Sequence, residues 1–131
     1  MSITACVIQG DIRNDMIDLI IKKMNKHFDH VILSTWGVDE YKFTKGDFEV
    51  VLNEYPENPG YSHRNYQRLS TANGLRRARS LGAEYVMKWR TDMLPTNLDI
   101  PDLVQKTQKN IYGGIKSRIV LPAFRNLTVK P

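Results

Sequence analysis

Two short runs of apolar and β-branched residues, Ile3 to Ile8 and Val31 to Leu33, flank a stretch with helical periodicity, and this arrangement limits the fold more than any other feature. The first run has the length of a buried strand and stops at Gln9-Gly10-Asp11. In the stretch that follows, Met16, Leu19, Ile20 and Met24 recur at helical spacing, and Lys22, Lys23 and Lys26 lie off that stripe. Asn14 or Asp15 stands where a helix cap belongs. Val31-Ile32-Leu33-Ser34-Thr35 then reads as a second strand ending in polar residues. Strand, helix and strand with short connections form a βαβ unit, which implies a parallel sheet.

Residues 38–48 are mixed in character and read as an irregular connection to a third strand at Glu49 to Asn53. Tyr55-Pro56-Glu57-Asn58-Pro59-Gly60 interrupts regular structure. From Arg64 to Leu81 the pattern predicts a helix with Leu69, Ala72, Leu75 and Ala78 inward, closed by Gly82 in a left-handed conformation. A fourth strand is expected over Glu84 to Trp89, and a helix from Asp99-Ile100-Pro101-Asp102 to Lys109. Ile111 to Tyr112 and Ser117 to Leu121 are further strand candidates. The expected fold is α/β, a Rossmann-like, mostly parallel sheet with helices on both faces, and 131 residues suit a single domain.

In such sheets ligands bind beyond the carboxyl ends of the strands. Those ends are Gln9-Gly10-Asp11, Ser34-Thr35-Trp36, Asn53-Glu54 and Arg90-Thr91-Asp92, all polar. The last belongs to YVMKWRTDM, residues 85–93, where strand alternation puts Tyr85, Met87 and Trp89 on one face and Val86, Lys88, Arg90 and Asp92 on the other. A central parallel strand is covered on both faces, and an unpaired buried ion costs several kcal/mol, so these charges belong near the strand's wet end. Asp92 there could hold Mg²⁺ or Mn²⁺ bridging two phosphates, or serve only as a turn residue. The start of the long helix, Arg64-Asn65-Tyr66-Gln67-Arg68, offers a dipole end and two arginines one turn apart to an anion; a solvated basic face is the simpler reading. Gly74 inside that helix suggests a close approach of another backbone or a ligand, and Trp36 reads as a core residue or a stacking platform.

The net charge of +5 is unevenly distributed: after Asp102 there is no Asp, Glu or His, while Lys106, Lys109, Lys116, Arg118, Arg125 and Lys130 follow. This basic extension suits a phosphate-rich ligand, an anionic membrane surface, a nucleic acid or plain solvent. Cys6 has no partner for a disulfide or a zinc site and reads as a buried thiol. His27, His30 and His63 lack metal-ligand spacing, and GxGxxG, P-loop and GxSxG signatures are missing. Without a leader or an apolar run of membrane-spanning length, the expected location is cytoplasmic.

Taken together, ACVIQGDI (5–12), ILSTW (32–36), and NYQRLSTANGL (65–75) followed by YVMKWRTDM resemble the WavE-type lipopolysaccharide and capsule synthesis proteins, glycosyltransferases of the GT-A fold. The resemblance covers roughly residues 3–95 and implies a nucleotide-binding core over about 1–95 with a basic extension over 96–131. It puts Gln9, Gly10 and Thr35 around a nucleotide, Asn65, Gln67 and Ser70 on the helix facing the donor, and Lys88, Arg90 and Thr91 at the diphosphate. Asp92 would stand at the metal-binding carboxylate position, with Mn²⁺ or Mg²⁺ as cofactor. Two departures matter: Tyr66 replaces the family's arginine before Gln67, with Arg68 displaced beyond it, and Arg90-Thr91-Asp92 retains one carboxylate. No carboxylate follows Asp102 to serve as a base, so the chain reads as a short or truncated, donor-binding version of the fold.

The leading expectation is a glycosyltransferase that takes a nucleotide-sugar donor and a divalent metal and extends a glycan or a lipid-linked acceptor, with peripheral membrane association and homo-oligomer formation compatible with a half domain. A noncatalytic nucleotide or nucleotide-sugar module is the alternative. A basic nucleic-acid-binding protein rests on the cationic extension alone and lacks the usual signatures, so nucleic acid is not an expected partner.

Overall fold

The structure is a computed structural model and describes residues 3–12, 16–37 and 47–94. They belong to a compact unit spanning Met1–Thr96. The helix and strands expected after residue 96, and the caps at Asn14 and Asp15, lie outside the described residues.

Four strands form one parallel sheet: β1 (Thr4–Gln9), β2 (His30–Trp36), β3 (Glu49–Asn53) and β4 (Tyr85–Arg90), in the order β3-β2-β1-β4. Helix α1 (Met16–Asn25) connects β1 to β2, and α2 (Arg64–Ser80) connects β3 to β4 after a short turn at Tyr61–His63. The first crossover moves the chain one way along the sheet and the second moves it back past β1. Because such crossovers are right-handed, the two helices lie on opposite faces. The α/β expectation, with a parallel sheet, is met.

Side-chain alternation confirms the two layers. Ala5 and Val7 of β1 and Ile32 of β2 pack with Ala78 of α2, flanked by Val51, Leu81 and Ala83. The intervening residues Cys6, Ile8, Val31 and Leu33 point to the other face and are buried, as are Ile17, Ile20, Ile21 and Met24 of α1. Each large aliphatic side chain fully removed from water contributes about 1.5–3 kcal/mol. Burial raises the Cys6 thiol far above its ordinary pKa and keeps it in the unreactive thiol form.

Three expectations need correction. In α1 the buried stripe is Ile17, Ile20, Ile21 and Met24, and Leu19 is 43% exposed. The helix is rotated by part of a turn from the expected face, so that Ile17 and Ile21 join Ile20 and Met24 against the sheet. In α2 the buried positions are Ser70, Gly74 and Ala78, while Leu75 is 40% exposed. A Cβ on Gly74 would lie 2.3 Å from Val7 Cγ1 and 3.3 Å from Ser34 Cβ, so the close approach marked by that glycine is to sheet side chains. Finally, among the described residues β4 pairs only with β1 and stands at the sheet's edge, and Lys88 and Arg90 are exposed there.

Gly82 does close α2 with a left-handed backbone, its N–H reaching the Arg79 carbonyl at 3.0 Å while Ala83 N–H reaches Ala78 at 3.1 Å. Trp36 is buried and stacks on Tyr55 at a ring separation of 4.5 Å, so both its position and its packing are those of a core residue. No helix among the described residues is long and apolar enough to cross a membrane.

Candidate functional site

The strand order reverses direction at β1, so the gap between the carboxyl ends of β1 and β4 is the topological switch point, where an open α/β sheet leaves room for a ligand. The two strand ends are joined there by hydrogen bonds. Thr91 N–H donates to the Gln9 carbonyl at 3.1 Å, and the Thr91 hydroxyl donates to the Asp11 carbonyl at 2.6 Å. Gly10 N–H donates to Ser34, and the Thr35 hydroxyl donates to the Gly10 carbonyl at 2.9 Å. Gly10 has φ 129°, and a Cβ there would meet Thr91 Oγ1 at 2.7 Å. Only glycine lets the two loops approach this closely.

Beneath them a buried polar network ties α2 to the sheet. Gln9, Ser34, Thr35, Asn53 and Ser70 are all buried. Ser34 Oγ donates to the Ser70 carbonyl at 2.6 Å and accepts from Asn53 Nδ2 at 3.0 Å. Asn53 also donates to the Thr35 carbonyl and accepts from Asn73 Nδ2 at 2.8 Å. The Ser70 hydroxyl lies 2.9 Å from both Gln9 Oε1 and the Tyr66 carbonyl, and donates to one at a time. With every member partnered, the network fixes the first turn of α2 against the end of β1.

The result is a cleft of about 280 Å³. Its β1 side is Gln9, Gly10 and Asp11; its β4 side is Arg90, Thr91 and Asp92. The remaining wall comes from Trp36 and from His63, Tyr66 and Gln67 at the start of α2. Tyr66 leans on His63, Trp36 and Tyr55 with ring separations of 5.2–5.3 Å. The backbone leading into α2 is strained: Ser62 and His63 both adopt positive φ, and no side chain caps the helix. For residues other than glycine such conformations cost of order 1 kcal/mol each and concentrate at functional sites. The first turn of α2 has no acidic residue, and although its Arg64 and Asn65 N–H groups bond to the Tyr61 and Pro59 carbonyls, its positive end favours an anion.

At the mouth of the cleft Arg90 and Asp92 form a two-pronged pair, Nε to Oδ1 at 2.9 Å and a terminal nitrogen to Oδ2 at 2.7 Å. Met93 N–H bonding back to the Arg90 carbonyl, and Trp89 Nε1 donating to the Met93 carbonyl at 2.6 Å, fold the chain so that the two side chains meet. Both are about half exposed, at 49% and 44%, so water competes for the pair and its net strength is low.

The structure divides the expected site residues. Gln9, Gly10, Asp11, Gln67, Arg90, Thr91 and Asp92 share the cleft. Thr35 and Ser70 are buried supports beneath it. Asn65 is turned away, its Nδ2 donating to the Asn58 carbonyl and its N–H to Pro59, which ties the proline-rich turn to the helix. Arg64, Arg68 and Lys88 line a separate open groove of about 350 Å³ between α2 and β4, with Thr71, Ala72 and Leu75; Gln67 borders both spaces.

For a metal, the cleft supplies two carboxylates, Asp11 and Asp92, hard oxygen donors of the kind that hold Mg²⁺ or Mn²⁺ together with substrate phosphates. Among the described residues no group of three or more His, Cys, Asp or Glu converges as a dedicated cage. Two carboxylates would leave most of an ion's coordination to other ligands, and both oxygens of Asp92 are bonded to Arg90. Of the aromatic wall, Trp36 stands at a strand end where a stacking platform is one reading of the sequence, whereas His63 and Tyr66 are not foreseen as lining; the helix start at Arg64 is the available signal, since first-turn residues face the strand end. Comparison of the chain with protein-family models, with curated proteins and with solved structures finds no match.

Proposed function

We propose that the cleft binds the nucleoside diphosphate portion of a nucleotide sugar and that the protein acts in glycosyl transfer, as a GT-A-type donor domain for surface polysaccharide or related glycan synthesis. The observation that carries this reading is the position of Arg90, Thr91 and Asp92 opposite Gln9 and Gly10 at the switch point. A diphosphate lying over these joined strand ends meets the Arg90 guanidinium, the first turn of α2 and the Gln9 side chain. The aromatic wall at Tyr66 and His63 suits a base or ribose.

In the transfer, the bond between the anomeric carbon and the diphosphate breaks with its electron pair going to the phosphate oxygen. The acceptor hydroxyl bonds to that carbon, and its proton passes to the departing diphosphate or to water. Arg90 stabilises the charge developing on the leaving group. A divalent ion held by Asp92 and Asp11 would supply further neutralisation of that charge. One observation favours binding without turnover as a second reading: Arg90 already occupies both oxygens of Asp92.

The test is thermal melting with UDP, GDP, CDP and their sugar conjugates, with and without Mn²⁺, alongside release of free nucleoside diphosphate. One nucleotide is expected to stabilise the protein by about 2.7 kcal/mol at one hundred times its dissociation constant. Arg90→Gln removes a charge-assisted hydrogen bond worth about 1.5–3 kcal/mol, tenfold or more in affinity. Asp92→Asn abolishes only the part that needs Mn²⁺. Release of nucleoside diphosphate distinguishes a transferase from a binding module, and the lack of any nucleotide-dependent shift would reject both.

A further inference from the structure

The groove beside the cleft gathers charges that the described part of the fold does not use. The side chains of Arg64, Arg68 and Lys88 converge on it, and among the described residues none of the three side chains has a hydrogen-bond or ion-pair partner. Neighbouring arginines are engaged: Arg76 with Asn73, Arg77 with Glu49, and Arg90 with Asp92. Among the described residues no acidic side chain lines the groove. Three cations gathered without a counter-charge repel one another, and a dianion between them removes that cost.

Two further observations concern what lies beyond the cations. Thr71 Oγ1 is buried at the groove and makes no hydrogen bond, whereas the other buried side-chain polar atoms among the described residues have partners. A buried hydroxyl left unsatisfied is costly, and a ligand oxygen would satisfy it. Next to it, Ala72 and Leu75 form an apolar wall, with Leu75 40% exposed on a helix that buries smaller residues instead. The surface thus has a cationic end, a single hydroxyl and an apolar end.

We propose that this groove binds the phosphate of an amphiphilic phosphate ester, with the phosphate among Arg64, Arg68 and Lys88 and the apolar part along Ala72 and Leu75. Because Gln67 borders both spaces, a ligand in the groove adjoins one in the cleft. The groove is then the acceptor side of the reaction, an assignment that rests on the nucleotide-sugar reading; the phosphate site itself does not. The same chemistry is offered by a soluble alkyl or sugar phosphate and by a lipid headgroup.

Calorimetric titration with hexyl phosphate, inorganic phosphate and hexanol tests the site. Hexyl phosphate is expected to bind at least tenfold more tightly than either of the others. The double variant Arg68→Gln/Lys88→Gln loses at least tenfold of that affinity, and so does Leu75→Glu, which puts a negative charge at the apolar wall. Both variants change exposed positions, and their unliganded melting temperatures report whether they fold. Vesicles of phosphatidylcholine with and without phosphatidic acid separate the sources: binding that needs phosphatidic acid and exceeds that of hexyl phosphate identifies a lipid headgroup, and binding of hexyl phosphate alone identifies a soluble ester. Unchanged hexyl phosphate affinity in both variants overturns the site. Competition between hexyl phosphate and the nucleotide overturns it as a separate site, since one ligand would then span both spaces. Failure of every nucleotide to bind, with hexyl phosphate binding intact, rejects the acceptor assignment and leaves the phosphate site standing.

Discussion

Helix α1 covers its face of the sheet with Ile17, Ile20, Ile21 and Met24, whereas α2 covers the opposite face with Ser70, Gly74 and Ala78. The first helix is held by apolar area. The second is held by proximity: its small residues let the backbone settle onto Val7 and Ser34, and the polar network through Gln9, Ser34, Asn53 and Asn73 fixes its register. The difference separates stability from function. A helix that binds by area tolerates small shifts, while a helix fixed by hydrogen bonds delivers its first turn to one place, here the switch point between β1 and β4.

Breaking the apolar helix should have the largest effect. Ile20→Ala removes a fully buried side chain of α1 and is expected to cost about 2–5 kcal/mol in urea unfolding, with nucleotide affinity per folded molecule unchanged. Gly74→Ala attacks the other helix. Alanine gains about 1 kcal/mol of helix propensity, but its methyl group meets Val7 Cγ1, and overpacking costs about 1–3 kcal/mol. The net loss of stability is smaller than for Ile20→Ala. Because α2 must shift to relieve the contact, nucleotide binding should weaken by more than the stability change accounts for. If Gly74→Ala leaves binding intact, the close approach does not position the cleft.

Leu75→Ala sharpens the same comparison with a smaller effect. A leucine that is 40% exposed should contribute within about 0.5 kcal/mol, in contrast to the inward role that hydrophobic spacing assigns it. A cost above 2 kcal/mol would mean that Leu75 is covered in solution.

The contrast between the helices also explains what was legible in the sequence. The strands were readable because β1 and β2 are runs of apolar, β-branched residues, a signal that survives without tertiary information. In α1 the face was found to within part of a turn. In α2 Ala78 was found, but Ser70 and Gly74 were not, because apolar periodicity cannot mark a seam made of serine, glycine and alanine; the lone interior glycine was the surviving clue. Strand order was not readable, so β4 was read as a covered strand, whereas among the described residues it stands at the sheet's edge. The site followed the same logic. Residues at strand ends, Gln9 to Asp11 and Arg90 to Asp92, came together because sheet topology sends all carboxyl ends one way. Lys88 separated from Arg90 because two residues along a strand amount to about 6.6 Å, enough to place it in the neighbouring groove with Arg68.

The smallest expected effect concerns the end of α2 farthest from the cleft, where Arg77 grips Glu49 at the start of β3 through two hydrogen bonds. The Arg77 guanidinium bonded to Glu49 holds its carboxyl below the usual glutamate range. A carboxyl with a lowered folded pKa binds protons more readily when unfolded, so the pair stabilises the protein above the ordinary glutamate pKa of about 4.3. That contribution is lost as pH falls through the lowered folded value. Both side chains are more than a third exposed, which keeps the effect small and sensitive to salt. Melting of the native chain and of Glu49→Gln should therefore coincide in strong acid, separate above pH 5 with the native chain more stable, and draw together again in 1 M salt. Because the pair joins α2 to β3 without touching the cleft, nucleotide affinity should be equal in the two proteins at every pH at which both are folded. A loss of affinity in Glu49→Gln would show that the register of α2 depends on its exposed end as well as on the buried network beneath its first turn.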